Sequence, residues 1–236
     1  MNIAVIFAGG WGERMNNQAL PKQFLEYRGK PIIIYTLEIF DSHPQIDCIV
    51  IACIKEWITY LHQIINRFGI KKVRGIVPGG VTGQDSIYNG LSEAKHFSHD
   101  ENDIVLIHDG VRPLINNRTV SDNISKVQEV GSCITCSPTI ETFVIRHAGG
   151  EVEIPSRENS IVARAPQSFL LKDILAAHEM ARRDGRHDFI DSCTMMHHYG
   201  YKLSNVIGPT ENIKITTPID FCVFKAILEA KEAGRK

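Results

Sequence analysis

The sequence predicts an α/β fold, a Rossmann-like and mainly parallel sheet flanked by helices. Short, uninterrupted apolar runs rich in β-branched residues are typical of parallel strands that are buried on both faces. Segments with helical periodicity alternate with these runs, which indicates βαβ units. Glycine-rich loops also follow two of the runs, at residues 8–12 and 78–83. With 236 residues, 43% of them hydrophobic and 22% charged, the chain is predicted to form a single domain over residues 1–236.

The strands and helices are predicted in regular alternation. Strands are predicted at residues 3–7, 47–53, 73–77, 103–108, 132–137 and 202–206. Helices are predicted at residues 29–42, 56–68, 87–96, 117–130, 171–183, 190–197 and 218–233. Pro31 and Pro218 are placed in the first turns of their helices, where a missing N–H costs nothing because it would have no helical partner.

The segment after residue 137 interrupts the alternation. Residues 142–145 and 151–154 have the composition of two strands, and Gly149 and Gly150 between them predict a hairpin turn. We therefore predict a protruding β-hairpin arm at about residues 138–157. A lone hairpin is only marginally stable in water, so the arm is expected to pack against a second subunit and make the protein a homodimer.

Charge and hydropathy exclude several classes of partner. A net charge of −1 provides no basic field for nucleic acid. No apolar run is long enough to span a bilayer, so no membrane partner is predicted. The chain starts directly in a predicted strand, without the basic region and cleavage site of a signal peptide, which predicts a cytoplasmic protein.

Six cysteines are scattered along the chain, most of them in apolar runs. Cys133 and Cys136 have the spacing of a metal-binding pair, but no second pair accompanies them, and on a strand these two positions point to opposite faces. We predict reduced cysteines that pack as small apolar side chains.

The first glycine-rich loop, Ala8 to Met15, is predicted to be the centre of the site. Three glycines in four positions, Gly9, Gly10 and Gly12, allow backbone N–H groups to approach a ligand, and such a ring of donors suits phosphate oxygens. Arg14 and Lys22 place two cations beside this cradle. The pattern predicts a phosphate-binding loop at the carboxyl edge of the sheet.

Two better-known glycine loops fit less well. A dinucleotide fingerprint needs a third glycine where this chain has Met15, whose side chain would obstruct close packing of helix on strand. The G-K-[ST] ending of a Walker A loop is absent. Two other functions stay open at this point, a nicotinamide-dependent oxidoreductase and a catalytically silent binding subunit. The loop itself could also be a simple tight turn that binds nothing.

A second glycine-rich loop contains Gly79, Gly80 and Ser86 and also follows a predicted strand. Two such loops on one sheet edge form a crevice, which is where ligands of open α/β sheets usually bind. The competing interpretation is that Ser86 is the N-cap of the next helix, with a flexible segment before it.

Asp109 follows the strand 103–108, and Mg²⁺ prefers one or two carboxylates together with phosphate oxygens. Asp109 is therefore a candidate metal ligand, although an aspartate here also suits the cap of a turn. Arg112 is expected to pair with an acid and brace this turn. His108 is expected to be a structural histidine that faces away from Asp109.

Six motifs in this order resemble the cytidylyltransferase family of methylerythritol-phosphate and ribitol-phosphate enzymes. They are A-G-G-W-G-E-R-M, P-K-Q-F, P-G-G with Ser86, H-D-G-V-R-P, A-P-Q-S-F and N-I-K-I-T-T-P-I-D. The similarity covers nearly the whole chain and is closer to the ribitol-5-phosphate branch. It implies a nucleotidyltransferase domain that transfers CMP from CTP to a polyol phosphate, with D-ribitol 5-phosphate as the first candidate, and that releases pyrophosphate. The alternative acceptor is 2-C-methyl-D-erythritol 4-phosphate.

The same resemblance implies roles for individual residues. The implied catalytic cations are Arg14, Lys22 and Lys214. The implied nucleotide-binding residues are Ala8, Gly9, Gly10, Gly12, Gly79, Gly80, Ser86, Asp109 and Gly110. The implied acceptor-binding residues are Thr142, Arg157 and Asp191, the first two on an arm that crosses to the partner subunit. Mg²⁺ is the implied cofactor, with Asp109 and Asp220 as its implied ligands.

Four positions depart from the family pattern. Gly83 replaces an arginine, Glu141 replaces an aspartate, and Ala165 and Ile190 replace threonines near the acceptor. These changes remove hydroxyl donors around the acceptor and leave the triphosphate side almost unchanged. The departures therefore concern the acceptor site more than the nucleotide site.

Overall fold

A computed structural model describes residues 1–12 and 20–234. The strands are β1 (Asn2–Ala8), β2 (Glu26–Tyr27), β3 (Lys30–Pro31), β4 (Cys48–Cys53), β5 (Val73–Pro78), β6 (Ile104–Asp109), β7 (Ser132–Pro138), β8 (Ile145–Arg146), β9 (Val152–Glu153), β10 (Ile161–Leu170) and β11 (Asn205–Ile207). The helices are α1 (Ile32–Ser42), α2 (Ile58–Phe68), α3 (Gly83–Phe97), α4 (Asn117–Val130), α5 (Leu171–Arg183), α6 (Ser192–His198) and α7 (Pro218–Ala233).

The main sheet has seven strands in the order β11-β7-β10-β6-β1-β4-β5. Strand β1 pairs in parallel with β4 and β6 at the centre, and β5 extends the parallel part. Strand β10 runs antiparallel to both of its neighbours, β6 and β7. The predicted mainly parallel sheet is confirmed. Its parallel strands end at one edge, so the loops that follow β1, β5 and β6 lie together there.

Both faces of the sheet are covered, which explains why β4 and β6 are buried along their whole length. On one face, Ile6 of β1 belongs to a core with Phe40 of α1 and Ile124 of α4. On the other face, Val5 and Leu91 of α3 belong to a second core with helix α5. Each fully buried side chain of this size stabilises the fold by about 1.5–3 kcal/mol.

Side-chain caps fix where the helices of the site begin. Thr82 and Asp85 form a capping box at the start of α3, and Thr217 and Asp220 form another at α7. Asp191 caps α6 by accepting from the Thr194 N–H at 2.9 Å. These bonds satisfy donors that would otherwise lack a helical partner.

Several predicted boundaries are wrong. Helix α3 begins at Gly83 and not at residue 87, because Thr82 is its cap. Residues 30–31 pair with residues 26–27 as β3 and β2, so the first helix begins at Ile32 and not at residue 29. Helix α6 begins at Ser192 because Asp191 is its cap. The strand predicted at residues 202–206 is the shorter β11, displaced toward Ile207.

The hairpin of the arm is present, with strands shorter than predicted. Ile145 pairs with Glu153 and Arg146 with Val152, and Gly150 adopts a positive φ of 85° in the turn. Both strands are exposed to solvent. What the arm packs against in solution stays a prediction.

The cysteines are free thiols, as predicted. Burial raises the pKa of Cys133 to about 12, which keeps that thiol protonated and inert at neutral pH. Within residues 1–12 and 20–234, no three metal-ligating side chains cluster together. In the same part of the chain, no helix combines the length and the apolar character that crossing a bilayer requires.

Candidate active site

Two cavities meet at the carboxyl edge of the sheet. The first, which we call the glycine-loop cavity, has a volume of about 210 Å³ and is lined by residues that include Ala8, Gly9, Gly10, Lys22, Gly80, Thr82 and Ser86. The second, which we call the arginine cavity, has a volume of about 280 Å³ and is lined by residues that include Arg112, Arg164, Ala165, Gln167, His178, Phe189 and Asp191. Phe7, Gly83, Asp109 and Lys214 line both cavities.

The two glycine loops approach each other so closely that side chains are excluded. A Cβ atom on Gly9 would lie 2.7 Å from the Ser86 hydroxyl oxygen, and one on Gly79 would lie 3.1 Å from the Gly9 Cα. The Gln23 side-chain amide donates to the Ala8 carbonyl at 2.7 Å and holds the start of the first loop. The predicted crevice between the loops is therefore present, and its backbone is exposed to the first cavity.

Ser86 holds the second loop in shape. Its hydroxyl accepts from the Gly80 N–H at 3.0 Å and donates to the Thr82 carbonyl at 2.9 Å. The N-cap of α3 is Thr82, so the interpretation of Ser86 as a cap is wrong. Ser86 is buried within the first turn of the helix, where its hydroxyl ties Gly80 in place.

The position of the Lys22 side chain depends on the first glycine-rich loop and on the short helix in which Lys22 lies. It begins a short 3-10 helix, Lys22–Phe24, and its side chain lies beside Gly12. Gly12 has a φ of 79°, and a Cβ atom there would lie 2.7 Å from Cδ of Lys22. Arg14 lies outside the described residues, so its predicted role at the phosphates stays a prediction.

Asp109 is buried between two cations. Lys214 Nζ lies 2.5 Å from its Oδ1, and Arg112 Nε donates to its Oδ2 at 2.7 Å. Burial alone would raise the pKa of this carboxyl, but Lys214 and Arg112 outweigh burial and lower it to about 2. Asp109 is ionised at neutral pH, and the predicted bracing of this turn by Arg112 is confirmed.

Lys214 comes to the site from far along the chain. Arg112 Nη1 donates to the Asn212 carbonyl at 2.9 Å, and the Ile215 N–H donates to the Val111 carbonyl at 2.9 Å. These two bonds join the segment before α7 to the loop after β6. They place the ammonium group where the two cavities meet.

His108 is a structural histidine, as predicted. It is fully buried, its Nε2 lies 3.1 Å from the Arg112 carbonyl, and its ring packs against Phe40 in the core. Burial lowers its pKa to about 4, so it is neutral at physiological pH.

The arginine cavity has apolar walls and a polar rim. Ile107, Phe189 and Met195 contribute to the walls, and Asp191 lines the cavity from its position before α6. The Asp191 carboxylate also accepts from the Gln167 side chain at 3.2 Å. Its predicted contact with an acceptor stays a prediction, and its position in the cavity supports it.

Sequence reasoning missed several residues of this cavity, chiefly Arg164, Gln84 and His178. Gln84 accepts from the Phe189 N–H at 3.1 Å and so joins α3 to the loop before α6. Arg164 directly precedes the A-P-Q-S-F motif, and this adjacency was the one available signal.

Thr142 and Arg157 pair with each other on the arm. Arg157 Nη2 donates to the Thr142 hydroxyl at 3.1 Å, and both side chains are exposed. Neither residue lines the two cavities of its own chain. Their predicted contact with an acceptor therefore depends on a second subunit and stays a prediction.

Asp220 and Gly110 have structural partners. The Asp220 carboxylate accepts from the Thr216 N–H at 2.9 Å and the Thr217 N–H at 2.8 Å as part of the α7 cap. Gly110 packs beneath the first loop, where a Cβ atom would lie 3.2 Å from the Ala8 Cβ. The metal role of Asp220 and the nucleotide contact of Gly110 stay predictions.

Residues 2–230 match the family described as 2-C-methyl-D-erythritol 4-phosphate cytidylyltransferase, IspD. The chain belongs to this family. The match includes every described residue that lines the two cavities.

Curated relatives of this IspD-family chain fall into two groups. A ribitol-5-phosphate cytidylyltransferase of Vibrio parahaemolyticus is 51% identical over 233 residues and covers 98% of each chain. An enzyme of the same description from Streptococcus agalactiae is 48% identical over 98% of this chain and 97% of its own. A 2-C-methyl-D-erythritol 4-phosphate cytidylyltransferase of Clostridium botulinum is 36% identical over 97% of each chain.

Solved structures agree with the fold. The crystal structure of 4-diphosphocytidyl-2C-methyl-D-erythritol synthase from Anaerococcus prevotii superimposes with a TM-score of 0.83 at 26% identity, covering 97% of this chain and 96% of that one. The Francisella tularensis 2-C-methyl-D-erythritol 4-phosphate cytidylyltransferase superimposes with a TM-score of 0.76 at 24% identity, covering 97% and 99% of the two chains.

Proposed function

We propose that this protein transfers CMP from CTP to D-ribitol 5-phosphate, forming CDP-ribitol and pyrophosphate. The observation that carries the proposal is that two cavities share Asp109 and Lys214, so a nucleotide in one and an acceptor in the other would meet at a cation. The two ribitol-5-phosphate cytidylyltransferases described above are 48% and 51% identical, against 36% for the methylerythritol-phosphate enzyme, which supports ribitol 5-phosphate as the acceptor.

In the proposed reaction, an oxygen of the acceptor phosphate attacks the α-phosphorus of CTP. The bond between that phosphorus and the oxygen that bridges to the β-phosphate breaks, and pyrophosphate leaves. A phosphate monoester has a second pKa of about 6, so the nucleophile needs no general base at neutral pH. The obstacle is the repulsion between two anions.

The residues of the site are suited to reduce this repulsion. Lys22 lines the glycine-loop cavity, and Lys214 lies at the junction of the two cavities. Cations placed in advance around a transferring phosphoryl group stabilise the charge that develops in the transition state. Lys214 is therefore assigned to the reacting phosphates, Lys22 to the nucleotide phosphates, and Arg14 is proposed to join them.

Mg²⁺ is proposed to bind with the nucleotide. Among the residues that the structure describes, Asp109 is the acidic one that lines the glycine-loop cavity, and each of its oxygens contacts a cation, Lys214 or Arg112. A Mg²⁺ that takes most of its ligands from phosphate oxygens and water needs a single protein carboxylate, and Asp109 would supply it by exchanging its contact with the part-exposed Lys214 for the ion. When bound, the ion would neutralise triphosphate charge.

A second copy of the chain is proposed to cover the arm. Val152 and Ile154 are 61% and 64% exposed, and Ile145 is 44% exposed, which leaves the hairpin with apolar side chains in water. Burial of these side chains against a partner would stabilise both. In such a homodimer, Arg157 would be free to reach the acceptor bound to the partner subunit.

The function is tested by measuring the pyrophosphate released from CTP when Mg²⁺ and each candidate acceptor phosphate are present. We expect kcat/KM with D-ribitol 5-phosphate to exceed that with 2-C-methyl-D-erythritol 4-phosphate by about 10-fold or more, since a site that hydrogen-bonds the correct hydroxyls discriminates strongly. The reverse preference would make methylerythritol phosphate the acceptor. Equal turnover by wild type and Lys22→Ala would support the catalytically silent alternative, and binding of NAD in place of CTP would support the oxidoreductase.

A further inference from the structure

Arg164 occupies an unusual position in the arginine cavity. It lies on β10, it is half-buried, and its Nε donates to the Ser137 hydroxyl of β7 at 3.1 Å. This bond fixes the base of the guanidinium group. Its two terminal nitrogens have no hydrogen-bond partner within residues 1–12 and 20–234.

The charges around Arg164 are unbalanced. Arg112 and Lys214 both contact Asp109, whereas no carboxylate of the described chain lies within ion-pair distance of Arg164. The proximity of Arg112 adds to burial in lowering the pKa of Arg164 below its ordinary value. A half-buried cation beside a second cation, without an acid of its own, favours the binding of an anion.

The Arg164 guanidinium group also lines the cavity that meets the glycine-loop cavity at Lys214, where the reacting phosphates are proposed to meet. Arg164 and Lys214 line the same cavity, and Lys214 lies where that cavity meets the glycine loops. The next residue, Ala165, also lines this cavity. An anion bound by Arg164 would therefore share its cavity with Arg112 and Lys214. Two carboxylates, Asp109 and Asp191, line the same cavity, so its three cations exceed its acids by one.

We propose that Arg164 binds the phosphate of the acceptor through its terminal nitrogens. A planar guanidinium can donate two parallel bonds to two phosphate oxygens, which an ammonium cannot. The assignment rests on the proposed function and adds to it a phosphate contact that comes from the chain's own cavity and not from the arm of a partner. Arg164 would leave the third phosphate oxygen for attack on CTP.

Steady-state kinetics of Arg164→Gln and Arg164→Lys tests the assignment. The expected result for Arg164→Gln is a KM for D-ribitol 5-phosphate raised about 10- to 100-fold, the usual effect of losing hydrogen bonds to a charged group. Arg164→Lys keeps the charge but loses the fork, so its KM should lie between those of wild type and Arg164→Gln. The KM for CTP should change by less than about 2-fold, because Arg164 does not line the glycine-loop cavity.

A ligand without phosphate separates the two ends of the acceptor. Free ribitol, used as a competitive inhibitor against D-ribitol 5-phosphate, should have the same inhibition constant with wild type and both variants. An inhibition constant that rises as much as KM would place Arg164 at the polyol and overturn the proposal. An unchanged KM for D-ribitol 5-phosphate, or an equal rise in the KM for CTP, would also overturn it.

Arg118 provides the matched control, because it is an arginine on α4 whose side chain is 89% exposed. Arg118→Gln should leave both KM values unchanged. Thermal unfolding of each variant without ligand distinguishes a loss of phosphate binding from a folding defect. Arg164→Lys is expected to disturb the fold less than Arg164→Gln, because it keeps the positive charge. If the wild-type protein does not use D-ribitol 5-phosphate, the proposed function is wrong. If the wild-type protein is active and Arg164→Gln has the same KM for D-ribitol 5-phosphate, only the assignment of Arg164 is wrong.

Discussion

Nζ of Lys214 lies 2.5 Å from Oδ1 of Asp109, at the point where the glycine-loop cavity and the arginine cavity meet. The Lys214 side chain is 39% exposed, whereas that of Asp109 is 6% exposed. The carboxylate is therefore fixed by burial, and the ammonium group retains access to the cavity. An incoming phosphate would bind a cation that Asp109 has already positioned.

Lys214→Gln is expected to lower kcat by about 10²-fold or more, because it removes positive charge from the junction where the reacting phosphates meet. Pyrophosphate release under saturating CTP and acceptor measures the effect. Lys95→Gln, which changes an exposed lysine in the last turn of α3, is the matched control and should be as active as wild type. A kcat within about 3-fold of wild type would contradict the role of Lys214.

Gly9→Ala is expected to raise the KM for CTP by about 10-fold or more. Its Cβ would lie 2.7 Å from the Ser86 hydroxyl oxygen, so the two glycine loops would have to separate. Gly149→Ala is the control, since a Cβ atom there meets nothing within 4 Å. An unchanged KM for CTP would show that the close approach of the loops does not matter for the nucleotide.

The stability of the fold should fall as the pH falls from about 6.5 to about 4. Burial lowers the pKa of His178 to about 4, and the same holds for His108. The unfolded chain takes up these protons below pH 6.5 and the folded chain does not, so the stabilisation is complete above pH 6.5 and is lost toward pH 4. At 1.36 kcal/mol per pKa unit, each histidine accounts for roughly 3 kcal/mol.

Urea unfolding of wild type and His178→Leu at several pH values measures this dependence. The variant should lose roughly 3 kcal/mol less than wild type over the same pH interval. His96→Gln, at an exposed position of α3, should behave as wild type. Parallel curves for wild type and His178→Leu would refute the assignment of the pH dependence to His178.

The double variant Val152→Glu, Ile154→Glu is expected to be monomeric, because charged side chains on the arm cannot be buried against a partner without a large desolvation cost. Light scattering gives the mass directly. Ile219→Glu, at a 74% exposed position of α7, should keep the mass of wild type. A wild type that is monomeric and fully active would end the proposal of a dimeric arm.

Asp220→Asn is expected to lower the free energy of unfolding by about 1 kcal/mol, because it removes half of the capping box of α7. Thr217→Ala removes the other half and should have a similar effect. The Mg²⁺ concentration that gives half-maximal activity should be the same as for wild type in both variants. A several-fold rise in this concentration with Asp220→Asn alone would restore the metal role that the family resemblance implies.

The sheet and the glycine loops could be predicted from the sequence because their signals are local. An uninterrupted apolar run such as residues 47–53 identifies a buried strand without any knowledge of its neighbours. Gly9, Gly10 and Gly80 lie directly after strands, so their place at the sheet edge follows from the strand assignment alone. The predicted turn of Asp109 and Arg112 is likewise local, since three positions separate the two residues.

The arginine cavity could not be predicted in this way, because its lining residues come from seven separate segments of the chain. Arg164 faces this cavity because β10 returns antiparallel between β6 and β7, and no local periodicity of the sequence reports that pairing. The bond between Ser86 and Gly80 could not be predicted for a related reason. A serine near a helix start is usually a cap, and only the structure shows that Thr82 already fills that position.

Strands β7 and β10 are antiparallel neighbours, and the arm is the connection between them. Both ends of this connection thus emerge beside the arginine cavity, on the opposite side of β6 and β1 from the loop that follows β5. If the arginine cavity takes the acceptor and the glycine-loop cavity the nucleotide, as proposed, insertions, deletions or exchanges in the connection would reshape the acceptor site and leave the nucleotide site unchanged. The acceptor site could then diverge during evolution while the nucleotide site is preserved.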